Sequence, residues 1–337
     1  MKTETTTLWF KRIVLLSALL AVCVVGLGAY VRLSDAGLGC PDWPGCYGYM
    51  SVPESEAAIA QAQAIYPDSP VEAHKAWKEM VHRYLAGILG LLILSVCVLG
   101  WRGRNKLQVS PWTPTILLGL IIFQAALGMW TVTMLLKPAI VTAHLLGGMA
   151  TLSMLVWITH RHWGISSAQF LPAELPRALI RIAIIVLFAQ IMLGGWTSSN
   201  YAALACTDFP TCHGAWVPPM DFPNGFHWIR ELGEGLNGSP LTLEALTAIQ
   251  WTHRIGALFV LIYLGGLGMY LLKYAKLRAT GIALVVLLLV QIALGIANLV
   301  LHLPLVLAVA HNLGAALLLV TLVILNSKIT ELQVRRV

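Results

Sequence analysis

Apolar positions along this chain come in long blocks separated by polar stretches, and block length decides the fold class. A helix that spans a bilayer needs about 20 consecutive, mostly apolar residues. Eight blocks meet that length, at roughly 13–32, 83–101, 113–135, 139–159, 178–198, 251–272, 279–301 and 304–326. Two longer polar loops, about 33–78 and 199–248, leave little chain for a soluble domain. The pattern predicts an all-α integral membrane protein with eight transmembrane helices. Membrane lipid is therefore its first expected partner.

Composition agrees. Of 337 residues, 58% are hydrophobic and only 11% charged, and mean hydropathy is +0.77. The net charge of +7 would suit nucleic acid, but the placement of the charges excludes it. With the N-terminus inside, seven of the 22 basic residues fall outside: Arg32, Lys75, Lys78, Arg83, Lys137, Arg230 and Arg254. The remainder, among them Lys11, Arg12, Arg102, Arg104, Lys276 and Arg278, fall inside. Positive charge retained on the inner side predicts an N-in, C-in topology. The first block reads as a retained helix, because it is long for a signal h-region and lacks a small-x-small cleavage site.

Four of the six cysteines form matched pairs in the outer loops: Cys40-Pro-Asp-Trp-Pro-Gly-Cys46 and Cys206-Thr-Asp-Phe-Pro-Thr-Cys212. On an oxidising face such close pairs are expected to form local disulfides, Cys40–Cys46 and Cys206–Cys212. Zinc is the competing reading, but no histidine pair accompanies them. Cys23 and Cys97 lie inside apolar blocks and read as filler.

The cysteine loops are one sign of duplication. Gln124 precedes His144 by 20 residues, and Gln291 precedes His311 by 20. His82-Arg83 is matched by His253-Arg254. The chain thus reads as two tandem pseudo-symmetric four-helix bundles, 1–165 and 166–337, joined inside by a short basic connection at roughly 160–177. Four crossings return the chain to its starting side, so the copies share orientation.

His82, His144, His253 and His311 then fall on alternate helices, near the outer ends and at similar depth. One histidine at a helix end is an ordinary interfacial residue. Four at matched depth, repeated in pairs, point to function, because ionisable groups inside a membrane are costly. Two imidazoles facing each other across an apolar, glycine-lined bundle suit a haem iron with two axial ligands. Two histidines make a poor zinc site. Arg83 and Arg254 are candidate contacts for haem propionates, or else snorkelling interfacial cations. Glu79 precedes His82 by three residues and shares its helix face. The corresponding position in the second half is Gln250. A carboxylate can move protons or stabilise a forming cation, whereas an amide only hydrogen-bonds.

Glu79-x-x-His82-Arg83, the Cys40-Pro-Asp-Trp-Pro-x-Cys46 loop and four histidines on eight duplicated helices together closely resemble the haem A synthase family. The resemblance spans nearly the whole chain. It implies oxidation of one methyl group of haem O to the formyl group of haem A by successive hydroxylations, a geminal diol losing water. It further implies that His82 and His144 hold the processed haem, that Glu79 is the essential carboxylate, and that His253 and His311 hold a haem b relaying electrons. A bacterial inner-membrane location with periplasmic cysteine loops follows, with the enzyme supplying haem O as a candidate partner and an electron acceptor that the sequence does not identify. Two other readings stay open on the residues alone. One is a b-type di-haem cytochrome exchanging electrons with quinol, which would usually place haems near both faces. The other is a haem transporter or chaperone, which would not need Glu79.

Overall fold

A computed structural model describes residues 2–107, 109–163 and 177–334 of the chain. The inner connection expected near 160–177 lies for the most part, over 164–176, outside the described residues. Among the described residues the chain is helical, with only isolated bridges and no named strand. Ten α-helices run α1 (Lys2–Leu33), α2 (Glu56–Ile65), α3 (Ala73–Arg102), α4 (Trp112–Thr133), α5 (Pro138–Trp163), α6 (Arg177–Ser199), α7 (Phe222–Gly225), α8 (Leu243–Leu271), α9 (Arg278–Val300) and α10 (Leu305–Val334). All but α2 and α7 are long and apolar enough to cross a membrane, which gives eight candidate spans.

Helix α1 packs on α3 and α5, and α4 on α3 and α5, closing one ring of four. In the same way α6 packs on α8 and α10, and α9 on α8 and α10. Helices α1, α5, α6 and α10 also touch across the two rings. One apolar core runs through all of this, from Phe10 and Val14 through Leu152 and Leu155 to Leu264 and Leu319. Large apolar side chains such as Leu91, Ile116, Ile122, Ile185 and Ile262 stay exposed on the flanks. With no water in the bilayer core, such a flank meets lipid without penalty, so the outward face is apolar too.

Matching turns join α4 to α5 and α9 to α10. Leu135 and Leu136 hold φ of 49° and 58°, and His302 and Leu303 hold 58° and 61°. The N–H of Leu136 donates to Thr131 O, and that of Leu303 to Asn298 O. These bonds take up helix-end carbonyls in the manner of a left-handed cap, and Pro138 and Pro304 then restart the chain as helix.

Helices α3 and α8 begin earlier than the apolar pattern indicates. Expectation put the block starts at 83 and 251, so that His82 and His253 would open their helices. The helices start at Ala73 and Leu243, which leaves each histidine well inside. Hydropathy marks only the lipid-immersed part of a helix and misses its polar extension, which in α3 carries no side-chain cap. In α8, Thr242 accepts the N–H of Ala245 at its Oγ1, a conventional N-cap.

Candidate functional site

The four histidines sit on α3, α5, α8 and α10, and each ring lies against a glycine of the preceding long helix. Cε1 of His82 faces Gly28 on α1, His144 faces Gly128 on α4, His253 faces Gly194 on α6, and His311 faces Gly295 on α9. A methyl group at these glycines would come within 2.9, 3.2, 3.2 and 3.1 Å of the ring carbon. A side chain there would have to push the imidazole aside, so glycine seats each ring directly on a neighbouring backbone. His82 and His144 lie close enough to interact electrostatically, and so do His253 and His311. Within these four residues, the buried ring nitrogens without a hydrogen-bond partner among the described residues are the Nδ1 atoms of His82, His144 and His311.

Three glutamines support these histidines. Nε2 of Gln124 donates to the carbonyl of His144 at 2.6 Å, Gln190 to that of His253 at 3.0 Å, and Gln291 to that of His311 at 2.9 Å. Gln190 Nε2 also lies 3.0 Å from His253 Nδ1. The amide oxygens press on Gly147, Gly256 and Gly314, where a methyl group would collide with them. Gln124 and Gln291 were legible as members of repeated motifs, but their contact with the histidine was not. Gln190 was missed, since the repeat was traced between halves and not from helix to helix within one.

Glu79 and Gln250 occupy equivalent places above the histidines. Glu79 is buried, 4% exposed. Its Oε2 accepts the N–H of Cys40 at 3.0 Å, and its Oε1 pairs with Arg83 Nη2 at 2.6 Å. Gln250 Oε1 likewise accepts the N–H of Cys206, and its Nε2 donates to Ala203 O. The position therefore ties the cysteine loop to the helix in both halves, and only in the first is the anchoring side chain a carboxyl group, paired with an arginine.

Arg83 and Arg254 reach into the loops. Arg83 Nη1 donates to the carbonyls of Asp42 and Gly45, and Arg254 donates to those of Cys206, Asp208 and Thr211. The sequence offers them as contacts for haem propionates or as snorkelling interfacial cations. Here their donors organise loop backbone, a role the linear sequence did not suggest.

The loops are built alike. The sulfurs of Cys40 and Cys46 are joined at 2.01 Å and those of Cys206 and Cys212 at 2.04 Å. Asp42 accepts the N–H groups of Tyr47 and Gly48, and Asp208 those of His213 and Gly214. The Asp208 carboxyl is held well below the usual range, first by the Thr211 hydroxyl and then by these backbone donors. Gly48 and Gly214 stand at φ of 80° and 74°, which favours glycine. Cys206, Cys212 and His213 are the one three-ligand cluster among the described residues. Two of its members are already bonded to each other, so it offers no zinc site. The segment 47–78, uninterpretable as sequence, contains α2 and folds onto the first loop. Tyr47 donates to Pro70 O, Tyr49 to Gln61, and Trp77 to Glu54.

Residues 11–323 match the COX15-CtaA family, described as cytochrome oxidase assembly protein. The chain is 46% identical to "Heme A synthase" of Shewanella oneidensis over 322 residues, covering 94% of this chain and 95% of that one. It is 31% identical to "Heme A synthase" of Methylobacterium radiotolerans, covering 88% and 84%. With the counterpart of Halalkalibacterium halodurans it shares 26%, covering 89% and 90%. The chain belongs to the haem A synthase family.

For a member of the haem A synthase family the donor set is a coherent one. A porphyrin iron with two axial histidines needs paired imidazoles, apolar surroundings and room for a flat ring. The four glycine-seated rings, in two interacting pairs, meet these needs. Among the described residues neither pair is joined by a third ligand of the kind a structural metal would require.

Proposed function

We propose that this protein oxidises a methyl group of haem O to the formyl group of haem A, working by successive hydroxylations in its N-terminal half. In this reading residues 1–165 form the substrate half, where His82 and His144 hold the porphyrin iron. Residues 166–337 form the cofactor half, where His253 and His311 hold haem b. Haem b, when bound, supplies one-electron transfer through its iron. Membership of the family supports the overall reaction. One observation carries the division of labour: two closely matched sites differ in charge at a single equivalent position, Glu79 against Gln250.

The protein's own residues then have distinct tasks. The paired histidines would hold the porphyrin iron from two sides of the bundle. Glycines 28, 128, 194 and 295 let the rings stand against backbone. Glu79, one helical turn before His82, is the group that moves a proton or balances positive charge near the reacting edge. Arg83 pairs with that carboxylate and orients it, and the Cys40 N–H fixes its second oxygen. The cysteine loops close the outer end over each site and face the periplasm, with haem O delivered by the enzyme that makes it and electrons leaving to a separate acceptor.

The test is haem extraction after co-expression with a haem O source. Wild type is expected to yield haem A, and Glu79→Gln to yield haem O with little or no haem A. Equal haem A from both proteins would remove Glu79 from the chemistry. No haem A from either would remove the reaction itself.

A further inference from the structure

Three of the four histidines share a support that the fourth lacks. On α4, α6 and α9 the sequence reads Gln-x-x-x-Gly, with Gln124, Gln190 or Gln291 one turn before the glycine that seats the ring. On α5, α8 and α10 it reads His-x-x-Gly, and Gly147, Gly256 or Gly314 makes room for that glutamine. For His82 both halves of the device are replaced together. Val24 stands one turn before Gly28, and Leu85 stands three residues after His82. No glutamine reaches the His82 carbonyl, and its buried Nδ1 has no hydrogen-bond partner among the described residues. The Nδ1 atoms of His144 and His311 are equally without a partner, so what sets those two residues apart is the glutamine bond to their main-chain carbonyls. His253 has Gln190 at its Nδ1.

The consequence follows from how imidazole binds metal. A ligating histidine is oriented by the groups outside its ring that hold it, and here a glutamine bonded to the histidine's main-chain carbonyl fixes the residue that carries the ring. Losing such support costs about 10–100-fold in metal affinity. The substitution at His82 is paired, apolar for polar and bulky for small, so the site stays filled while the polar clamp is gone. The same helix carries Glu79, the one carboxylate of the two sites.

We propose that His82 is the exchangeable axial ligand of this protein. His144, His253 and His311 are clamped ligands that keep hold of iron, and the Gln-x-x-x-Gly/His-x-x-Gly pairs are positioning devices that make them so. His82 lets go, opening one coordination position for porphyrin exchange or for a small exogenous ligand. The proposal rests on the two-haem reading above.

The test uses the haem-loaded, full-length protein and reads ligand exchange by absorbance, without turnover. Carbon monoxide is added to the reduced protein. Wild type is expected to bind it at one haem and to resist it at the other. Val24→Gln/Leu85→Gly installs the clamp at His82 and should lower carbon monoxide affinity at that haem about tenfold or more. Gln190→Val/Gly256→Leu removes the clamp at His253 and should make the second haem reactive, with its low-spin spectrum unchanged until the gas is added. The reciprocal variant keeps the test decisive whatever the folding of the first. Equal response of both haems in wild type, or a second haem still inert in Gln190→Val/Gly256→Leu, overturns the proposal and leaves the two-haem reading standing. Absence of any bis-histidine low-spin spectrum in wild type sinks both.

Discussion

Glu79 shows how one residue can serve structure and chemistry, and how the two can be separated. Its Oε2 accepts the Cys40 N–H, and an amide performs the same service at Gln250. The second half of the chain is thus an internal control for Glu79→Gln. That variant should keep its fold, because a glutamine can still accept from Cys40 and Arg83 still has loop carbonyls to bind. Glu79→Ala removes the acceptor altogether and leaves a buried N–H unsatisfied, which costs about 1–3 kcal/mol. Thermal unfolding in detergent should therefore place Glu79→Ala clearly below Glu79→Gln, while both lose haem A formation. If the two unfold together, the Cys40 contact is not the structural part of the role. In the sequence, the contrast of Glu79 with Gln250 was legible and pointed to charge. The shared anchoring of the loop was not, because the Cys40 amide lies 39 residues away and no local pattern links them.

At the scale of elements, the glutamine clamp makes pairs of helices behave as units. Gln291 on α9 and Gly314 on α10 fit only together: a methyl group at Gly314 would strike the Gln291 amide oxygen. Gly314→Ala should displace that side chain and break its bond to the His311 carbonyl, so the second change, Gln291→Ala, should then add little. The double-mutant cycle is expected to give a coupling of about 0.5–3 kcal/mol in unfolding free energy, as for other residues in direct contact. Strict additivity would mean that the amide does not hold α9 to α10. Spans and their order were readable because each apolar block is about as long as a bilayer is thick. Helix starts were not, since the polar first turns of α3 and α8 leave no mark on hydropathy. Helix α2 was missed because a ten-residue, alanine-rich helix is far too short to span a bilayer and is held by its packing beside Tyr47 and Tyr49, a tertiary fact.

Across the whole molecule, the two rings of helices are held to one another at their cysteine-loop ends by a small polar network. Arg32 at the end of α1 donates to Tyr201 and to Ser198 O, and its guanidinium lies 4.2 Å from the centre of the Tyr201 ring. Thr142 meets Ser199 at 3.2 Å, and Lys137 pairs with Glu231. These contacts put both cysteine loops at one end of the molecule, and the basic residues between spans at the other. The charge asymmetry predicts which end faces which compartment. Single cysteines at Asp68 and Asn237 in the loops, and at Lys106 at the opposite end, decide it in a background where Cys23 and Cys97 are replaced by alanine. A membrane-impermeant maleimide added to intact spheroplasts should label Asp68→Cys and Asn237→Cys at once, and Lys106→Cys only after the membrane is opened. The reverse order would turn the protein over and place the disulfide loops in a reducing compartment, where such pairs rarely persist. Labelling of all three before opening would contradict a membrane-spanning arrangement between the loops and Lys106. The expected result would set both histidine pairs near the oxidising face, with a carboxylate at only one of them.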